Sequence, residues 1–239
     1  MRSAFVITSA LHTKFGVYNT GERLLQTIAT IDSVEKYANP EKIIVLEMGG
    51  GGSLTEAEQT EFTSRCDLLM DYTKDQDVIA LHNSTPNWDV VKNITETSRF
   101  AAFLQTCMAD PTILEGIDRV FKISGRYILN EQFDLAQYEQ AENKITFKAR
   151  QPSQFKPETT GGVTQQYFSR LWSFDAKLLP HIAMAYMNMI KTIVTRINAG
   201  GYIDIEHSLF ACMPKEFIIE LNTVGVEGNL GPNGILVKD

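Results

Sequence analysis

Three strongly apolar runs, SAFVITSAL (residues 3–11), KIIVLEM (42–48) and the opening of RVFKISGRYILN (119–130), are separated by amphipathic stretches. That alternation is what most restricts the fold. KIIVLEM has the continuous apolar character of a strand buried on both faces of a parallel sheet. Between the first two runs, ERLLQTIATIDSVEKYA (22–38) sets Leu24, Leu25, Ile28, Ile31 and Val34 near a helical period, and Asn39-Pro40 ends it. Ser53 or Thr55 can cap a helix over EAEQTEFTSR. CDLLMDY (66–72) and VIALHN (78–83) read as further strands, and WDVVKNITETSRFAAFLQTCMA (88–109) as a long helix closed by Asp110-Pro111. Strands alternating with helices through residue 123 predict an α/β domain with a mainly parallel, Rossmann-like sheet flanked by helices.

The second half changes character. QPSQFKPETTGG (151–162) is polar and rich in Pro and Gly, which predicts a mobile loop. GVTQQYFSRLWSF (162–174) reads as a strand with a short turn. A 3.6-residue period then runs from Leu179 to Ile197, with Pro180 in the first turn and Gly200-Gly201 at the end. On that period Met184, Met187 and Met189 are expected to fill the core rather than form a cofactor box. With 239 residues, 44% hydrophobic, and no Pro/Ser-rich or charged linker, a single domain is expected over residues 1–239.

A net charge of -7 argues against a non-specific nucleic-acid binder, which needs a basic face. Cys66, Cys107 and Cys212 lie far apart, without metal-ligand spacing, so neither a disulfide framework nor a zinc site is expected. MRSAFVITSALHTKF reads as a first strand rather than a signal peptide. No window approaches about 18 continuous apolar residues, so no membrane span is expected. These readings favour a cytoplasmic protein.

In an open parallel sheet, ligands sit beyond the carboxyl ends of the strands. Those ends carry Thr8-Ser9, Glu47 followed by GGGGS, and Ser124-Gly125-Arg126-Tyr127. The glycines allow either a flexible turn or an anion nest of backbone N–H groups. They match neither the dinucleotide fingerprint nor the P-loop. Lys122 and Arg126 suit an anionic ligand, since the guanidinium matches phosphate oxygens in a planar fork. The competing reading is a pair of surface salt bridges to Asp118 and Glu131. GYIDIEHSLF (201–210) concentrates Asp204, Glu206 and His207 in an apolar setting. Asp204 is either a helix N-cap or a catalytic carboxylate. Glu206 is the better general base, and His207 a metal ligand or a contact to a substrate hydroxyl. His12, His82 and His181 show no partners and are expected to be structural. No G-x-S-x-G supports a serine triad.

The blocks ERLLQTIATIDSVEKYANPEKIIVLEMGGGGS, DRVFKISGRYIL and DIEHSLF resemble, in this order, GT-A-type glycosyltransferase-like proteins of bacteria, phages and giant viruses. The resemblance spans about residues 3–225. It implies a nucleotide-binding half over residues 1–130 and an acceptor-side half over 131–239. It further implies a nucleotide-diphosphate sugar as donor and a glycan or other hydroxyl as acceptor. Thr8, Ser9, Arg23 and Glu47 would lie near the nucleotide, with Lys122, Arg126 and Tyr127 also on the donor side. Glu206 or Asp204 would be the catalytic base, with His207 on the substrate. Most such enzymes carry Asp-x-Asp where this chain has SGRY. The DQD at 75–77 follows a different strand. The departure favours a metal-free reaction in which fixed cations stabilise the leaving diphosphate. The alternative is Mn²⁺ or Mg²⁺ with His207 as ligand. A non-catalytic nucleotide- or glycan-binding protein of the same fold is the other functional expectation.

Overall fold

The computed structural model describes residues 1–230 and 233–239. Its first half is β1 (Ser3–Ser9), α1 (Thr20–Ala38), β2 (Lys42–Glu47), α2 (Glu56–Thr63), β3 (Leu68–Asp71), α3 (Gln76–Ser84), α4 (Trp88–Ala109) and β4 (Arg119–Ser124). There follow β5 (Tyr127–Leu129), α5 (Leu135–Glu139), β6 (Ile145–Lys148), β7 (Gln151–Pro152), α6 (Pro157–Thr160), β8 (Gln165–Gln166) and β9 (Leu171–Asp175). The chain ends with α7 (Leu179–Asn198), α8 (Ile205–Cys212), β10 (Ile218–Leu221), β11 (Val226–Asn229) and β12 (Leu236–Lys238).

A seven-stranded sheet of order β10-β6-β9-β4-β1-β2-β3 forms the centre. β1 to β4 are mutually parallel, β10 is parallel to β6, and β9 alone runs against its neighbours. The sheet is thus mainly parallel, as the alternation predicts. β1 is buried along its whole length because both faces are covered. Ala4 and Val6 pack with Ile44, Leu46 and the α4 residues Phe100, Phe103 and Leu104, while Phe5 and Ile7 pack on the other side with Ile31, Val34 and Phe121. α7 lies along α4, joined to the sheet by Tyr186, whose ring is 4.8 Å from Phe100 and 6.1 Å from Trp172. No described helix is long and apolar enough to cross a membrane.

Four expectations need correction. Residues 78–83 are helical rather than extended: the Asp75 side chain caps α3 by accepting from the Asp77 N–H at 2.9 Å, and Val78 and His82, one turn apart, are buried. A short apolar run satisfies both periods, and the cap decides between them. Of the three methionines only Met189 is in the core; Met184 and Met187 are 64% and 45% exposed. Residues 151–166 contain an antiparallel hairpin, with Gln151 opposite Gln166 and Pro152 opposite Gln165. The stretch from 162 to 174 accordingly divides into β8 and β9 rather than forming one strand.

β4 stops at Ser124, and the chain turns through Gly125 and Arg126 into β5, which joins a separate antiparallel sheet β12-β11-β5. A Cβ on Gly125 would lie 2.9 Å from Thr27 Oγ1 and 3.2 Å from the Thr8 carbonyl oxygen. Glycine is therefore required for the turn to press against β1 and α1. That turn places Arg126 beyond the sheet's carboxyl edge.

Candidate active site

The carboxyl ends of β1, β2 and β4 open into a cleft of about 850 Å³ counting its mouth. Every residue that lines it falls between 8 and 126. Thr8, Ser9, Ser124 and Arg126 form the floor. One wall is the segment after β1, with Phe15 and Gly16. The opposite wall is one face of α4, where Trp88, Lys92, Thr95 and Glu96 recur at helical spacing.

The basic residues around the cleft differ in how they are engaged. Arg23 donates to the carbonyl oxygens of Tyr18 (3.0 Å), Phe15 (2.6 Å) and Ala10 (3.4 Å), so it folds the segment after β1. Burial, and then the nearby charge of Arg126, lower its pKa. Lys122 is fully buried, ion-paired to Glu96, and donates to the Ser169 carbonyl oxygen at 3.1 Å. It is neither a surface residue nor a wall of the cleft. Asp118 instead accepts from the backbone N–H of Arg2 at 2.7 Å, and Glu131 pairs with Lys238 at 3.3 Å, so the expected partners of Lys122 and Arg126 lie elsewhere. Arg126 has no side-chain hydrogen bond among the described residues, and its Nε is buried without a partner. Lys92 likewise has no ion pair or hydrogen bond among them. Burial works to lower the Lys92 ammonium, but the carboxylates Glu206 and Glu96 outweigh it and raise its pKa.

The acidic residues divide the same way. Glu47 is wholly buried and holds β2 to the segment after β1: its Oε1 accepts from the N–H groups of Leu11 (2.9 Å) and Gly49 (2.8 Å). Burial raises its pKa. Glu96 lies in the cleft, where burial is overcome by Lys122 and then Lys92, so its pKa is lowered. The Thr8 hydroxyl faces it at 3.5 Å, and the Ser9 hydroxyl is 3.2 Å from Thr27 Oγ1.

The glycine run is neither a free turn nor an open nest. The Gly51 N–H donates to the His12 carbonyl oxygen at 2.7 Å, and a Cβ on Gly50 would sit 2.5 Å from His82 Cβ. Tight packing against two segments accounts for the glycines. His12 has a partner, Glu58 at 2.9 Å, and His82 lines the cleft while its Nε2 accepts from the Lys14 N–H at 3.3 Å. Burial, and then Lys14, lower the His82 imidazole. His181 packs edge-on against Phe217.

On the second half of the chain, Asp204 caps α8 by accepting from the His207 N–H at 2.9 Å, which makes 205–212 a helix. His207 is fully buried, its Nδ1 2.5 Å from Asp204 Oδ1 and its Nε2 2.7 Å from Ser153 Oγ. With both ring nitrogens engaged, it fastens the β7–β8 hairpin to α8 and is not brought to the cleft. Glu206 is half-buried, and its Oε1 accepts from the Ser169 hydroxyl at 2.6 Å. Tyr127 packs into the core under the Arg170 guanidinium. The structure therefore gathers Thr8, Ser9, Arg23 and Arg126 in one cleft, puts Glu47 and Lys122 beneath it, and leaves Tyr127, Asp204, Glu206 and His207 outside its lining. Lys92, Glu96, Trp88 and His82 join the cleft unforeseen. Projecting the polar residues of the 88–109 helix onto its faces would have found the first three.

The residues present do not fit a resident divalent cation. An arginine stands where the resemblance puts the metal motif, and His207 has no nitrogen to offer. Asp75 of DQD caps α3 and pairs with Arg99. Among the described residues no group of three or more His, Cys, Asp or Glu side chains is placed to hold a metal.

No protein-family model and no curated protein matches this sequence. Solved structures do match its fold. The galactosyltransferase LgtC, in complex with donor and acceptor sugar analogs, is similar over 91% of this chain and 72% of its own, with TM-score 0.55 at 8% identity. The mannosyltransferase Ktr4p from S. cerevisiae is similar over 94% of this chain and 70% of its own, with TM-score 0.54 at 12% identity. At such identities the likeness is one of fold, and that fold is the GT-A α/β architecture of these glycosyltransferases.

Proposed function

We propose that this protein is a glycosyltransferase that moves a sugar from a nucleotide-diphosphate donor to an acceptor hydroxyl without a resident metal. The observation that carries the reading is Arg126. A guanidinium held at the end of the central parallel strands, half-buried and without a partner, is a site for an anion. As the bond between the anomeric carbon and the diphosphate oxygen breaks, its electron pair goes to that oxygen, and Arg126 stabilises the growing charge. The acceptor oxygen bonds to the anomeric carbon and its proton passes to Glu206, whose carboxylate the Ser169 hydroxyl orients. The apolar surfaces of Trp88 and Phe15 suit the nucleoside.

The test is thermal shift across a panel of nucleotide sugars, each with EDTA and with Mn²⁺, followed by transfer to candidate acceptors with release of nucleoside diphosphate as the readout. Stabilisation and transfer that survive EDTA are expected. Glu206→Gln should keep donor stabilisation and lower the transfer rate by about 10²–10⁴, the range of a lost general base. Binding without cleavage across all acceptors would favour the non-catalytic alternative. Transfer abolished by EDTA and restored by Mn²⁺ would overturn the metal-free reaction.

A further inference from the structure

We propose that Lys92 is a second catalytic residue of this cleft: with Arg126 it clamps the donor's diphosphate. This rests on the donor reading above. Four basic residues surround the cleft, and two of them are engaged by the fold, Arg23 on three carbonyl oxygens and Lys122 on Glu96 and Ser169. The other two, Lys92 on the α4 wall and Arg126 on the floor, line the same cleft without a hydrogen bond or ion pair among the described residues. Two like charges brought together in a half-buried site repel each other, and a ligand with adjacent negative charges relieves both at once.

The Lys92 ammonium lies on the α4 wall of the cleft. Its charge is opposed by Arg126 and supported by Glu206, from the second half of the chain, and by Glu96, one turn along α4. Trp88, one turn before Lys92 on the same face, adds an aromatic surface beside the charges. Stacking there favours a nucleoside diphosphate over bare pyrophosphate.

The experiment is calorimetric titration of the full chain with UDP, GDP, CDP, ADP and pyrophosphate, in EDTA and again in Mn²⁺. The proteins are the wild type, Lys92→Met and Lys92→Arg. At least one nucleoside diphosphate should bind the wild type in EDTA, more tightly than pyrophosphate. Lys92→Met should weaken it about ten- to hundredfold, the worth of a hydrogen bond to a charged group, with Lys92→Arg recovering part. Equal binding by Lys92→Met and wild type would overturn the inference and leave the donor reading standing. Binding by the wild type only in Mn²⁺ would overturn the clamp and the metal-free reaction, and leave the nucleotide-sugar donor standing. Failure of every nucleoside diphosphate to bind under either condition would remove the donor reading and the clamp with it.

Discussion

Arg23 and Lys122 on the one hand, and Lys92 and Arg126 on the other, lie around a single cleft and are treated by the fold in opposite ways. The first pair is surrounded: backbone carbonyls take the Arg23 guanidinium, and Glu96 takes the Lys122 ammonium. The second pair lines the cleft without a hydrogen bond or ion pair among the described residues. Charge and position along the chain do not separate the two pairs. What separates them is whether a partner is already present, and that decides whether a residue serves stability or chemistry.

The sharpest way to break this contrast is to remove one member of each pair. Lys122→Met strands the Glu96 carboxylate in the interior and should destabilise the protein by about 3–5 kcal/mol in denaturant unfolding, as broken buried pairs do. A loss under 1 kcal/mol would erase the distinction. Arg126→Ala should leave the unfolding midpoint nearly unchanged and lower kcat about 10²–10³, with Arg126→Lys recovering only part because it lacks the fork. Undiminished transfer by Arg126→Ala would remove the mechanism.

The same contrast extends to the acidic residues with smaller effects. Asp204→Ala removes a helix cap and should cost about 1 kcal/mol of stability, with nucleoside diphosphate binding unaffected. Weakened binding would return Asp204 to the cleft. Glu47 and Glu96 should differ in sign against pH. The Glu47 pKa is raised on folding by burial, so its ionisation destabilises the fold as pH rises from its ordinary value of 4.5 through the raised one. The Glu96 pKa is lowered by Lys122 and Lys92 against burial, so its contribution is present above 4.5 and fades as pH falls through the lowered value. Glu47→Gln keeps an Oε1 to accept from Leu11 and Gly49, and its stability advantage over wild type should grow from pH 4 to pH 8. An advantage that shrinks over that range would contradict the assignment.

Much of the architecture was legible because it is local. The uninterrupted apolar runs of β1, β2 and β4 and the period of α7 carry their own signal. So does the Pro40 that ends α1. The 78–83 segment was not legible because helix and strand periods coincide over six residues. The cleft was half legible. Strand ends in a parallel sheet pointed to Thr8, Ser9 and Arg126. Lys122 misled, since its partner Glu96 lies 26 residues earlier on another element, and no local pattern announces such a pair. His207 misled for the same reason: its link to Ser153 bridges 54 residues. Lys92 and Glu96 were concealed in an ordinary helical pattern, where polar residues on one face usually meet only solvent.

The turn at Gly125 also bears on how this site can change. Backbone pressed against Thr8 and Thr27 leaves no room for a side chain at position 125, so the turn that presents Arg126 has almost no latitude to change course. The α4 wall is different: Trp88, Val91 and Thr95 are side chains on a regular helix and can be exchanged without redirecting the backbone. Adaptation to a new donor would therefore proceed by repainting one helix face, while the turn opposite it stays constant and supplies a fixed reference for the phosphates.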